Sequence, residues 1–132
     1  MWRTVASIFA GLAAWAVIVT ILNFGLRAAL PGYHAAEATL DFTLAMKIGR
    51  LTEAALTSVA AGAVVSWIAR SKTWAAWVTG LIVLALFLPE HIKLWSKFPA
   101  WYHLTFLVPI VPLFGLGAAL WSRAGKTDAM QR

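Results

Sequence analysis

PEHIKLWSKFPAWYH, residues 89–103, is the one place where polar, aromatic and turn-forming side chains crowd together in an otherwise oily chain. Apolar runs of membrane-spanning character flank it on both sides, so it reads as a hairpin between two buried helices. Glu90 and His91 close one helix, Lys93 and Lys97 mark the aqueous boundary, and Phe98-Pro99 opens the next helix. Trp95, Trp101 and Tyr102 are side chains that favour the interface between lipid and water, and are read as aromatic anchors. If the protein carries a chemical site, one wall of it is expected here.

Working outward, the 132 residues are 61% hydrophobic and only 12% charged. Soluble domains carry roughly 25% charged residues to cover their surface. The expectation is an all-α integral membrane four-transmembrane-helix bundle, a single membrane domain over residues 1–132 with no soluble domain attached. The first apolar run, Val5 to Leu26, is too long for the core of a signal peptide and is read as an uncleaved first span. A net charge of +6 does not imply nucleic acid as a partner, because the basic residues sit singly at the ends of apolar runs, where they reach for head groups. The partner expected is the lipid bilayer, with a second copy or a larger membrane complex beside it. No cysteine is present, which excludes disulfides and thiolate chemistry. No cofactor is expected.

The spans are placed at about 4–30, 43–70, 74–89 and 99–121, with a loose polar tail over 122–132. Pro31-Gly32 ends the first, and Arg70 to Thr73 makes a tight turn before the third. The last is expected to kink at Pro109 and Pro112. The second is ambiguous: residues 39–50 read either as an interfacial segment or as a continuation of the span. Its pattern is informative all the same. Thr43, Lys47, Arg50, Glu53 and Thr57 form a polar stripe, while Ala54, Ser58, Gly62 and Ser66 form a stripe of small residues that lets another helix approach closely.

Four spans put both termini on one side. Arg3, Arg70, Lys72, Arg123, Lys126 and Arg132 then share a face opposite Arg27, Lys47, Arg50, Lys93 and Lys97, a bias of six against five towards cytoplasmic termini in a bacterial inner membrane. All three histidines and four of the five acids fall on the other, periplasmic half. Polar function, if present, is concentrated there.

Three constellations follow. Glu53 lies inside the membrane boundary, where a carboxylate needs a partner or water, and Arg50 is three residues away on the same face. The pair reads either as a proton or cation site of a small oligomeric transporter or as a structural ion pair. His91 and His103, across the hairpin, read either as metal or haem ligands or as interfacial residues bonded to loop carbonyls. His34, Glu37 and Asp41, joined by Glu90, His91 or His103, make a candidate ligand face for a divalent ion, without the spacing of a strong zinc signature. Which metal, if any, is left open.

LFLPEHIKLWSKFPAWYHLTFL resembles a pattern found in an uncharacterised family of small bacterial four-span inner-membrane proteins. Trp95, Phe98, Pro99, Trp101, Tyr102 and His103 carry the likeness, which extends more loosely over most of the chain. It implies location and topology but no activity. Small multidrug exporters look to a membrane-embedded glutamate in their first span, and this first span has none. The small-residue stripe on the second span and the short, aromatic-rich loops make the leading expectation a non-enzymatic accessory or structural protein, packing with itself or a larger membrane complex. Transport through Arg50 and Glu53, or ligation through His91 and His103, stand as alternatives.

Overall fold

The computed structural model describes all 132 residues and is entirely helical. Five helices follow one another: α1 Trp2–Ala29, α2 Tyr33–Thr39, α3 Leu44–Ile68, α4 Thr73–Lys93 and α5 Ala100–Gln131. All but α2 are long and apolar enough to cross a membrane. With no water to satisfy backbone groups in a bilayer, helices are the expected form for such runs.

α3 is the centre of the bundle, packed against α1, α4 and α5, with α5 its most extensive neighbour. The small-residue stripe explains why. Ala54, Ser58, Gly62 and Ser66 are all buried. A Cβ on Gly62 would strike the carbonyl of Phe114, and one on Gly117 of α5 would strike the carbonyl of Val59. Each glycine is thus the hole into which the opposite backbone fits, the arrangement that small residues permit between membrane helices. Around this contact, Val65, Phe114 and Ala118 are buried with Trp15 and Val83.

The ambiguity over residues 39–50 resolves into a break. Gly32, at φ 79°, takes the left-handed conformation that glycine adopts freely, and turns the chain from α1 into α2. α2 ends at Thr39 with Leu40 as its C-cap, and Thr43 then caps α3 by accepting a hydrogen bond from the Met46 amide at 3.3 Å. α2 and the following turn close one end of the bundle with Tyr33, Ala36, Phe42 and Met46 packed on Phe98 and Tyr102.

Two expectations need correction. α4 does not stop near Pro89 but runs through it to Lys93, and the hairpin shrinks to the residues before Ala100. The proline removes one backbone donor, while continuation buries His91 against Phe106 and His103. The tail is not loose: α5 continues as an exposed helix to Gln131. Extending an existing helix needs no new nucleus, and Arg132 meets Asp128 at 3.8 Å, four residues apart. Pro109 and Pro112 both lie within the continuous α5.

Candidate functional site

Polar side chains gather at the end of the bundle that α2 covers. The chain of contacts starts on α1, where Arg27 holds Glu37 of α2 in a two-pronged grip, Nε to Oε1 at 2.9 Å and Nη2 to Oε2 at 2.8 Å. Such fork-to-carboxylate pairs are among the strongest polar contacts in proteins. The Arg27 guanidinium holds the Glu37 carboxyl below the ordinary carboxylate range. Asn23, one turn earlier, donates to the same Glu37 oxygen at 3.4 Å and accepts from the Tyr33 hydroxyl at 3.0 Å. Tyr33 is fully buried, and burial pushes its hydroxyl pKa upward.

Arg50 of α3 completes the network. Its Nη1 donates to the Tyr33 hydroxyl at 2.9 Å and its Nε to the Tyr102 hydroxyl at 3.1 Å, while the guanidinium lies 4.7 Å from the centre of the Phe42 ring. Cation–aromatic contact of this kind adds to binding when water is excluded. The expected Arg50–Glu53 ion pair is not formed; the molecule's three ion pairs are Arg27–Glu37, Lys93–Glu90 and Arg132–Asp128. The two tyrosines draw Arg50 towards the end of the bundle, so its charge is solvated by hydroxyls and a ring rather than by a carboxylate.

Glu53, one turn deeper, is 7% exposed, and its Oε1 is buried without a hydrogen-bond partner. It faces a cavity of about 430 Å³ bounded by α1, α3, α4 and α5, whose wall includes Arg27, Arg50, Asn23, Thr20 and Tyr102 as well as Trp15, Phe24, Phe87 and Phe106. That volume lies in the range of small-molecule sites. Trp15 is fixed there by its indole N–H, which donates to Ser58 at 3.2 Å, and by the Phe87 ring at 5.0 Å.

A second cavity, of about 210 Å³, lies across Arg50, Phe87, Tyr102 and Phe106, which line both. It is flanked by His91 and His103, whose Nδ1 atoms are 2.8 Å apart. One ring must donate and the other accept. His103 is fully buried and its Nε2 has no partner. An orphaned lone pair costs less than an orphaned N–H, so His103 is the donor through Nδ1 and His91 the acceptor. Trp95 covers the His103 ring in a near-parallel stack at 4.7 Å.

This geometry corrects the ligand face. Two nitrogens sharing a tetrahedral metal at bonds of about 2.0–2.1 Å lie about 3.3 Å apart, so the histidines are hydrogen-bonded to each other and too close to share an ion. His34 and Asp41 are exposed, Glu37 is held by Arg27, and Glu90, at the rim of the second cavity, is exposed and meets Lys93 at 3.5 Å. No group of three or more histidine, aspartate or glutamate side chains converges to hold a metal ion. Among the expected anchors, Trp95 and Trp101 are half-exposed, but Tyr102 is buried and works as a hydrogen-bond partner of Arg50.

Asn23, Tyr33 and Phe42, and Arg27 beyond its place in the charge bias, are members of the site to which the sequence alone assigns no role. Asn23 and Arg27 carried a signal, being four residues apart on one face inside an apolar run. Comparison with known proteins finds no family model, no curated protein and no solved structure that matches this chain.

Proposed function

We propose that this is a small multi-pass protein of the bacterial inner membrane that binds a small molecule inside its bundle and carries it between the membrane faces. Arg50 and Glu53 are its working residues. The observation that carries the reading is the buried Glu53 carboxyl, without a hydrogen-bond partner, facing a cavity of about 430 Å³ beside an arginine that has no acidic partner. Ionisable groups at membrane depth are costly and rare unless they act on an ion, a proton or a ligand. The resemblance of the hairpin and the placement of basic residues support an inner-membrane location with cytoplasmic termini. The cavity then lies in the periplasmic half.

A purely structural, accessory role is the weaker reading. The stripe of small residues that motivated it is already buried within the same chain, Gly62 against α5 and Ser58 against Trp15 of α1, and so offers no face to a partner. The test is a thermal-shift screen of small acids, amines and neutral compounds on purified protein, followed by flux of any hit into proteoliposomes. At least one chemical class is expected to raise the Tm of the natural protein and lose its effect in Glu53→Gln or Arg50→Gln. A screen without hits, or hits that the variants bind equally well, would remove the reading.

A further inference from the structure

The charges around the larger cavity do not cancel in pairs. From α1, Arg27 faces it but is matched by Glu37 of α2. Tyr33 of α2 and Tyr102 of α5 are hydroxyls, and α4 contributes only Phe87, its His91 lying beyond the wall that Arg50 and Tyr102 form. What remains is Arg50 and Glu53. Arg50 has used Nε and Nη1 on the tyrosines, and its Nη2 donates to no protein acceptor. The Tyr102 hydroxyl accepts from Arg50 and its own proton has no acceptor. Two donors are therefore free at the same wall. Apart from Thr20, Asn23 and the paired Arg27, the rest of the lining is apolar: Trp15, Val19, Phe24, Ala54, Phe87 and Phe106.

The geometry points to a carboxylate monoanion with an apolar body as the ligand, its head group on Arg50 and Tyr102, entering together with one proton that resides on Glu53. This rests on the binding role proposed above. With Arg50 and Glu53 both ionised the cavity is neutral, and an arriving anion would leave two carboxylates against one guanidinium, an arrangement that like-charge repulsion beside the buried Glu53 disfavours. A proton from solvent on Glu53 leaves one positive charge, which a monoanion balances and a dianion such as phosphate exceeds. The same ligand chemistry is available from a water-soluble aromatic acid and from a fatty acid drawn out of the bilayer.

The experiment is calorimetry on the full chain in nanodiscs, at pH 6 and pH 8 and in two buffers of different ionisation enthalpy. The probes are phenylacetate, decanoate, phenylacetamide and phenethylamine. Phenylacetate or decanoate is expected to bind with about one proton taken up per ligand, and more tightly at pH 6; which of the two binds identifies the source. Glu53→Gln is expected to keep binding, with no proton uptake and no pH dependence. Arg50→Gln is expected to weaken binding on the order of 100-fold, the loss of charge-assisted hydrogen bonds, and Arg50→Lys to restore part of it. Carboxylate binding without proton uptake, or undiminished in Arg50→Gln, overturns the inference. Binding of phenethylamine instead, lost in Glu53→Gln, overturns the anion while leaving the cavity as a ligand site. If none of the probes binds the natural protein and the wider screen is also empty, both readings fall.

Discussion

The two halves of this bundle are built from the same helices on opposite rules. Towards the termini, α3 and α5 meet backbone to backbone through Gly62 and Gly117, and the buried hydroxyls of Ser7 and Thr79 bond back to carbonyls of their own helices. Towards α2, the side chains are large, aromatic or charged, and the two cavities that meet at Arg50 lie among them. Backbone-to-backbone contact leaves no room for a ligand, whereas bulky side chains of several helices leave both room and unmatched polar atoms. One half therefore holds the helices together so that the other can stay open.

The largest expected effect comes from breaking the closed half. Gly117→Leu or Gly62→Leu forces a side chain into opposing backbone, which cannot rotate away as a flexible side chain would. The expected cost is about 3 kcal/mol or more, at the upper end of overpacking, with loss of a folded monodisperse species in detergent. Thermal unfolding of these variants beside the alanine versions measures it. A folded, stable leucine variant would show that the α3–α5 contact is looser than described, and the contrast between the halves would fail.

In the open half the effects are smaller and chemical. Arg50→Gln removes the donor shared by the Tyr33 and Tyr102 hydroxyls, and about 1–3 kcal/mol of stability should follow from leaving them poorly satisfied. The single variants Tyr33→Phe and Tyr102→Phe should each cost less, and their losses should not add to that of Arg50→Gln, since all three act on one network. Full additivity, read from Tm or denaturant midpoints, would show that the network does not act as a unit. His103→Phe is milder still, about 1 kcal/mol, because it discards an orphaned nitrogen along with one hydrogen bond and keeps a ring for Trp95 to stack on. A much larger loss would assign His103 a polar role beyond holding His91.

Legibility in the sequence follows the same division. The closed half was readable because a spacing of four in Ala54, Ser58, Gly62 and Ser66 is a local property of one helix, and the partner it requires must be another helix. The four spans were readable for a similar reason, since hydropathy is additive along the chain. The open half depends on which residues of different helices meet. Spacing put Arg50 beside Glu53, yet two tyrosines at sequence distances of 17 and 52 residues take the guanidinium instead. The hairpin allows His91 and His103 to lie near each other, while their direct hydrogen bond depends on α4 continuing past Pro89. Asn23 stands out as a polar residue inside an apolar run, but its partners Glu37 and Tyr33 are defined only once α2 folds back on the end of α1.

The smallest effect tests how firmly α2 is fastened over the open half. Arg27 holds the Glu37 carboxyl below its ordinary range, so the folded state binds a proton there less readily than the unfolded chain does. The stability this contributes is fully present above the ordinary carboxylate range, and is lost as pH falls through the lower folded value. The pair is partly exposed, with side chains 32% and 21% accessible, so water and salt screen it and the change in Tm should be small. Comparing Tm between neutral pH and pH 3 for the natural protein and Glu37→Gln isolates the contribution, because the glutamine keeps the shape and cannot titrate. The natural protein is expected to lose more on acidification than the variant, and added salt to narrow the gap. Equal losses would mean that α2 is seated by Tyr33, Phe42 and Phe98 alone. The Arg27–Glu37 grip would then serve to neutralise Arg27 at the cavity wall, which leaves Arg50 as the one cation a ligand meets.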